Sequence, residues 1–98
     1  MGVGMQLCYL GFDGSAALEA EAGVALVRLE RAAKRIAGCR LEIEARDDRP
    51  GHRVYDARLD LVTRNYGLIP GQRTTHEDVI SAVHLAFEAA FRLLENGD

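Results

Sequence analysis

Several features that mark common protein classes are scarce or absent in this sequence. The 98 residues include two cysteines, without a C-x-x-C pair, and no tryptophan. Such cysteine usage argues against a disulfide-stapled scaffold or a zinc ribbon, and it favours a reducing compartment. No apolar run approaches the roughly 20 residues that span a bilayer, and the N-terminus lacks the basic-then-apolar order of a signal peptide. We therefore expect a soluble cytoplasmic protein with no membrane partner.

A basic excess is also missing. The formal net charge is -3 at pH 7, which argues against a strongly basic nucleic-acid binder but leaves room for a local basic patch. The length and the 48% hydrophobic content suit one core and are too small for two ordinary domains. We predict a single domain over residues 5–96, preceded by a disordered leader at residues 1–4 with Met5 as the native start.

The spacing of the apolar residues predicts an α+β fold in the order β-α-β-β-β-α. Alternation indicates the strands, and spacings of three and four indicate the helices. Ser15 and Thr75 are predicted N-caps, Gly38 is the predicted end signal of the first helix, and Pro70 confines the last strand to a sheet edge. The predicted strands are residues 6–12, 40–44, 54–63 and 68–69, the helices are residues 15–37 and 75–94, and residues 46–52 form a mobile loop.

The predicted elements form a four-stranded sheet with both helices packed on one face and water on the other. Alternation in the first two strands points Cys39 towards the core and Cys8 away from it. We expect the two thiols to lie on opposite sheet faces and not to pair.

Four segments, in this order, resemble the family of hibernation promoting factor, the ribosome-associated translation inhibitors also known as sigma-54 modulation proteins. Each motif is weak by itself, but together they cover nearly the whole chain from Met5. The segments are residues 11–19, resembling the family's G-x-x-x-S-x-A-L-x opening; Leu29-Glu30 with the strand at 39–44; the strand at 54–61; and the final helix from 76–78 with Ala82, Ala86 and Phe87.

This resemblance implies a helix and sheet arrangement like that of double-stranded-RNA-binding domains. It also implies binding to the small ribosomal subunit where messenger and transfer RNA would lie, which blocks translation in stationary phase or stress. No cofactor, catalysis or small-molecule substrate is implied. Long family members pair two ribosomes through a C-terminal extension, and we do not expect that activity of this chain.

The resemblance further implies basic residues on the helices, because contact with ribosomal RNA phosphates depends on charge. The final helix departs from this pattern, since its predicted solvent face is net acidic. The first helix carries a mostly arginine stripe, and guanidinium groups suit phosphate oxygens well. The alternative is a solvated face with cations near a helix C-terminus. The predicted RNA-binding residues are Arg28, Arg31, Lys34, Arg35, Arg40 and Arg92.

The remaining candidate residues give weaker indications of a catalytic or metal-binding site. His76-Glu77 lacks the second histidine of a zinc-protease helix, because Ile80 stands in its place. His84 and Glu88, one turn apart, form a surface pair rather than a metal site. The carboxylates on the second and third strands face opposite charges on neighbouring strands, so a solvated sheet face is favoured over an acid-base pair. These carboxylates are Glu42, Glu44, Asp56 and Asp60.

A second hypothesis belongs to a different functional class. A protein of this fold that has lost ribosome affinity would serve as a protein-protein interaction module. Its acidic final helix and an exposed Leu85 would then meet a basic partner or a second copy. A continuous basic surface would favour RNA, and an acidic interruption of that surface would favour the protein partner.

Overall fold

A computed structural model describes residues 4–96 of the chain. It has the predicted α+β class and the predicted order of elements, with one further short strand. The elements are β1 Gly4–Leu10, α1 Ala16–Ala32, β2 Ile36–Arg49, β3 His52–Thr63, β4 Leu68–Ile69, β5 Thr74–His76 and α2 Val79–Asn96.

The sheet is mixed, with strand order β1-β2-β3 followed by a divided edge. β1 pairs in parallel with β2 through the α1 crossover, and β2 and β3 form a long antiparallel hairpin. β4 and β5 both pair with β3. β4 is the predicted fourth strand, and β5 is the further strand, which follows it on the same edge after a break at residues 70–73. Gly71 lies in the break, where an added Cβ would stand 2.0 Å from the Leu59 carbonyl oxygen. Only glycine lets the chain lie this close to β3.

The core lies between one face of the sheet and the two helices. Its fully buried side chains come from α1, β2, β3 and α2 in alternating and helical patterns, as the sequence predicts. Cys39 is buried among them, and burial raises the pKa of its thiol to about 11. Cys8 lies on the other face of the sheet, and both thiols are free, which confirms the prediction that they do not pair. The largest buried side chains are Leu18, Leu29, Ile36, Leu41, Ile43, Leu59, Leu61, Val83 and Phe87.

The first helix ends earlier than predicted. The prediction of helix to residue 37 is wrong, because α1 ends at Ala32 and Ala33 has extended backbone with φ -139° and ψ 92°. Residues 32–37 have strong helix propensity, but Ile36 is fully buried as the first residue of β2. Burial of that side chain in the core outweighs the small propensity differences of the segment.

The second helix begins later than predicted. Thr75 is not its N-cap, because Thr75 lies in β5 and donates its hydroxyl to Asp56. Asp78 caps the helix instead, since its carboxylate accepts from the Ser81 backbone N–H at 3.0 Å. Hydrogen bonding to Ser81 lowers the pKa of Asp78 and keeps the cap ionised.

The loop predicted at residues 46–52 is mostly strand. β2 runs to Arg49 and β3 starts at His52, so the turn is confined to Pro50-Gly51, with Gly51 at φ 77°. Cross-strand partners of opposite charge, such as Asp47 and Arg53, extend the ladder outwards. At the N-terminus, β1 includes Gly4, the last residue of the leader predicted at residues 1–4, and the other three residues of that leader lie outside the described residues.

Candidate nucleic-acid interface

Arg28, the first residue of the predicted basic stripe, is engaged within the protein. Its Nη1 donates to Glu88 Oε2 on α2 at 2.9 Å, and its guanidinium lies 4.4 Å from the centre of the Phe91 ring. Both charged side chains are about half exposed or more, so the ion pair adds little stability but does occupy the cation. Because Arg28 pairs with Glu88 on the acidic face of α2, it is less available to an anionic partner than the rest of the predicted basic stripe.

Three predicted residues cluster where α1 ends and β2 begins. Arg31 lies exposed in the last turn of α1, and Lys34 and Arg35 follow in the exposed turn before β2. Within residues 4–96, neither the Arg31 guanidinium nor the Lys34 ammonium forms an ion pair. These two cations therefore remain available to an anionic partner.

The structure adds Arg64 to this cluster. The Arg64 Nε donates to the Lys34 carbonyl oxygen at 2.6 Å, and the Arg64 backbone N–H donates to the Arg35 carbonyl oxygen at 2.8 Å. The two terminal Nη groups of Arg64 make no hydrogen bond within the described residues. We call Arg31, Lys34, Arg35 and Arg64 the basic corner.

The sequence pattern did not indicate Arg64 because β2 was predicted to begin at Arg40. In the structure β2 begins at Ile36, which pairs with Thr63, so the residue after Thr63 lies beside the end of α1. The register of the β2–β3 hairpin, which follows from the full length of β2, therefore brings Arg64 to the basic corner. A small cavity of about 260 Å³ opens there, lined by Arg35, Thr63, Arg64 and Asn65.

Arg40 does not extend the stripe on the helical side. Its neighbours Cys39 and Leu41 are buried against the helices, so alternation places Arg40 on the opposite sheet face, which we call the open face. There it lies 3.4 Å from Glu42 and directly opposite Asp60 in β3. The charges of the open face largely satisfy one another, as expected of a solvated sheet.

Arg92 is exposed near the end of α2, towards the same end of the molecule as the basic corner. The pairs Glu21 with His84 and Arg28 with Glu88 show that the two helices run in the same direction. No ion pair of Arg92 is present within residues 4–96. Glu95, also exposed, follows three residues later, so this helix end carries both signs of charge.

Among the carboxylates of β2 and β3, Asp56 is the buried one, and its contacts favour the ionised form. Asp56 is 4% exposed and accepts from Arg46 Nε at 2.6 Å and from the Thr75 hydroxyl at 2.5 Å. Hydrogen bonding to Arg46 and Thr75 outweighs burial and lowers the pKa of Asp56. A general acid needs the opposite shift, so this arrangement does not suit proton transfer near neutral pH.

No group of three or more metal-ligating side chains occurs among residues 4–96. His84 lies 3.0 Å from Glu21, whereas Glu88 pairs with Arg28, so the two residues one turn apart on α2 face separate partners. Nor does any helix in the described part have the length and apolar character needed to cross a membrane.

A shallow groove separates the two helices on the outer surface. It has a volume of about 400 Å³, with Ala25, Phe87 and Phe91 among its apolar lining residues. Val24 is 71% exposed beside it, and the prediction that Leu85 is exposed is confirmed. This helical surface is apolar and of mixed charge, in contrast to the basic corner.

The chain matches no protein-family model, and no curated protein matches its sequence. In three dimensions it is similar to a ribosomal subunit interface protein from Coxiella burnetii, with a TM-score of 0.72 and 18% sequence identity. The similarity covers 97% of each chain, so it includes every element described above. The chain therefore has the fold of a ribosomal subunit interface protein, in agreement with the fold that its sequence resemblance implied.

Proposed function

We propose that this protein is a non-catalytic, cytoplasmic factor that binds the small ribosomal subunit through ribosomal RNA and inhibits translation under stress. The observation that carries the proposal is the basic corner, a cluster of cations in a chain whose net charge is negative. The ribosomal subunit interface protein with the same fold supports the choice of a ribosomal partner.

The chemistry of the basic corner suits phosphate. Arg64 is oriented by its Nε bond to the Lys34 carbonyl oxygen, which leaves the paired Nη groups directed away from that bond. Guanidinium groups bind phosphate oxygens through two parallel hydrogen bonds, and lysine adds a point charge. Phosphate contacts of this kind release counterions, so binding must weaken as salt rises.

The test is co-sedimentation of the purified protein with small ribosomal subunits over a salt series. We expect Arg31→Glu/Lys34→Glu to abolish binding while the circular dichroism spectrum and melting temperature stay close to those of wild type. The matched control is Arg49→Glu/Arg53→Glu, which makes the same charge change at the hairpin end. Arg49 and Arg53 belong to the β2–β3 hairpin, and both are exposed.

The control double variant should bind nearly as well as wild type. Equal binding by wild type and by a folded Arg31→Glu/Lys34→Glu protein would exclude the basic corner as the RNA-binding site. Absence of wild-type binding even at low salt would refute the proposed function itself.

The exposed apolar residues of the helical surface favour a second candidate function, a protein-protein interaction module. Val24, Val27 and Leu85 are each more than 40% exposed on the helices, and Val24 lines the groove together with Glu21 and Glu88. A basic partner would suit the acidic final helix. This function is favoured if wild type fails to sediment with subunits but Leu85→Glu abolishes capture of a basic protein identified in cell extract.

A further inference from the structure

Tyr66 is an unusual residue for the tip of a turn. It is 93% exposed and has φ 65°, which places a bulky aromatic residue in the left-handed region. Residues other than glycine adopt this region at a cost, and asparagine or aspartate is the commoner choice. A conformation of this kind, held at the surface with the ring in water, points to a use for the ring.

Hydrogen bonds among its own residues stabilise the turn that carries Tyr66. Thr63 and Gly67 are joined by a backbone hydrogen bond of 2.9 Å, and the Thr63 hydroxyl accepts from the Gly67 N–H at 2.9 Å. The Tyr66 N–H donates to the Thr63 carbonyl oxygen at 3.0 Å. The backbone under the ring is therefore fixed before any ligand arrives, which lowers the entropic cost of binding.

A groove opens beside Tyr66 on the open face of the sheet. Its volume is about 680 Å³, within the range of roughly 300–1,000 Å³ that small-molecule sites occupy. The lining includes Gly4, Gly38 and Val62, which are neighbours on β1, β2 and β3. Since two of the three have no side chain, the floor is flat and apolar.

Polar groups stand at one end of the groove. Gln6, Arg40 and Asp60 are aligned across β1, β2 and β3 next to the glycine floor. The Asp60 carboxylate is already used, because it accepts from the Gly71 N–H at 2.7 Å and lies 3.4 Å from Arg58. Gln6 offers an amide, which suits the hydrogen-bonding edge of a base, and the Arg40 guanidinium beside it is shared with Glu42 at 3.4 Å.

The groove and the basic corner adjoin. Thr63 lines both the groove and the small cavity beside Arg64, and Tyr66 follows Arg64 by two residues. A phosphate bound at Arg64 would therefore bring the base of the same or the next nucleotide to the Tyr66 ring. Aromatic rings stack with unpaired bases, whereas the bases of a duplex already stack with one another.

We infer that the groove beside Tyr66 binds an unpaired nucleobase of RNA, stacked on the Tyr66 ring, while the basic corner holds the adjoining phosphate. This inference rests on the proposed function, since it assigns a base site next to the proposed phosphate site. The bound RNA is then single-stranded where it contacts the groove and the basic corner.

Two variants test the site without disturbing the fold. Tyr66→Asn removes the ring but keeps a residue that tolerates positive φ. Gly38→Val fills the floor, because a Cβ at Gly38 would meet only the Gly4 carbonyl oxygen, at 3.6 Å, an ordinary contact distance. Both proteins should melt at or above the wild-type temperature, since asparagine suits the turn and valine suits a strand.

We expect both variants to bind small ribosomal subunits and a single-stranded RNA oligonucleotide roughly 5- to 100-fold more weakly than wild type, the loss typical of one base–aromatic stack. The slope of affinity against salt should not change, because no phosphate contact is removed. Tyr66→Trp supplies a reporter, as the chain has no tryptophan. Its fluorescence should be quenched by the single-stranded oligonucleotide and not by an abasic oligomer with the same phosphates.

Wild-type affinity of folded Tyr66→Asn and Gly38→Val for subunits would overturn the base site. If Arg31→Glu/Lys34→Glu lost binding in the same assay, the phosphate site and the proposed function would stand without it. Failure of wild type to bind subunits at low salt would refute the proposed function and the base site together. Equal quenching of Tyr66→Trp by the abasic oligomer would show that the ring senses the backbone rather than a base, and would also overturn the site.

Discussion

The Arg64 side chain joins the end of β3 to the end of α1, because its Nε donates to the Lys34 carbonyl oxygen at 2.6 Å. The Nε–H of the guanidinium is thus engaged within the protein, and the Nη groups remain for a ligand. The bond is exposed, so its net contribution to stability is about 1 kcal/mol or less. The larger consequence is orientation, since a fixed guanidinium loses less entropy when it binds phosphate.

We expect Arg64→Lys to bind small ribosomal subunits several-fold more weakly than wild type, although its charge is unchanged. Lysine cannot reproduce the two parallel hydrogen bonds of a guanidinium. The measurement is the subunit affinity at low and moderate salt, together with urea unfolding. Arg73→Lys, just before β5, is the control, because Arg73 is exposed and approaches Asp56 to 3.9 Å, away from the basic corner. Equal affinity of Arg64→Lys and wild type would mean that charge alone suffices.

We expect Glu88→Gln to strengthen subunit binding a few-fold. The substitution removes the carboxylate that pairs with Arg28 and one negative charge from α2, so the basic stripe gains a cation. The free energy of unfolding should change by less than about 1 kcal/mol, as is usual for an exposed ion pair. Asp13→Asn, which removes an exposed charge before α1, is the matched control. Unchanged affinity of Glu88→Gln would show that Arg28 takes no part in binding.

We expect Phe87→Ala to lower the free energy of unfolding by about 3–5 kcal/mol, the usual range for a buried phenylalanine. Phe87 is 2% exposed and packs between α2 and the sheet. Leu85→Ala is the control from the same helix, since Leu85 is 43% exposed, and should cost less than about 1 kcal/mol. Urea denaturation monitored by circular dichroism measures both. Similar losses for the two variants would contradict the packing of α2 described above.

We expect the stabilising effect of His52 to depend on pH. His52 lies between Glu77 and Asp48, and its hydrogen bonds to Glu77 and then to Asp48 raise its pKa, whereas desolvation and the nearby Arg49 charge oppose this increase. A raised folded-state pKa stabilises the fold fully below the unfolded-state pKa of about 6.5, and the effect is lost as pH rises through the folded-state value.

Thermal unfolding of wild type and His52→Gln at about pH 5.5 and about pH 8.5, on either side of the usual histidine pKa, measures this effect. The melting temperature of the variant should fall further below wild type at the lower pH. His76→Gln is the control, because within residues 4–96 the His76 side chain accepts a hydrogen bond from the Asp78 backbone N–H and forms no ion pair. A difference between wild type and His52→Gln that is the same at both pH values would contradict the charged contact.

The sequence predicted the fold well where local pattern and burial agree. The alternation of β2 and β3 and the apolar stripes of both helices predicted the core, and they placed Cys39 inside and Cys8 outside. The ends of elements were predicted less well. Residues 32–37 favour helix by propensity, but the burial of Ile36 draws them into β2, and Thr75 has the chemistry of an N-cap but lies in a strand.

The candidate site shows the same division. The sequence determined that Arg31, Lys34 and Arg35 lie close together, because they stand within five residues of the chain, although Lys34 and Arg35 follow α1 instead of continuing it. Alternation in β2 already placed Arg40 on the sheet face opposite Cys39. Only the tertiary structure decided that Arg28 pairs with Glu88 and that Arg64 completes the cluster. These relationships join residues 30 to 60 positions apart or depend on strand register, and local pattern carries no information about which distant charges the packed helices and the hairpin bring into contact.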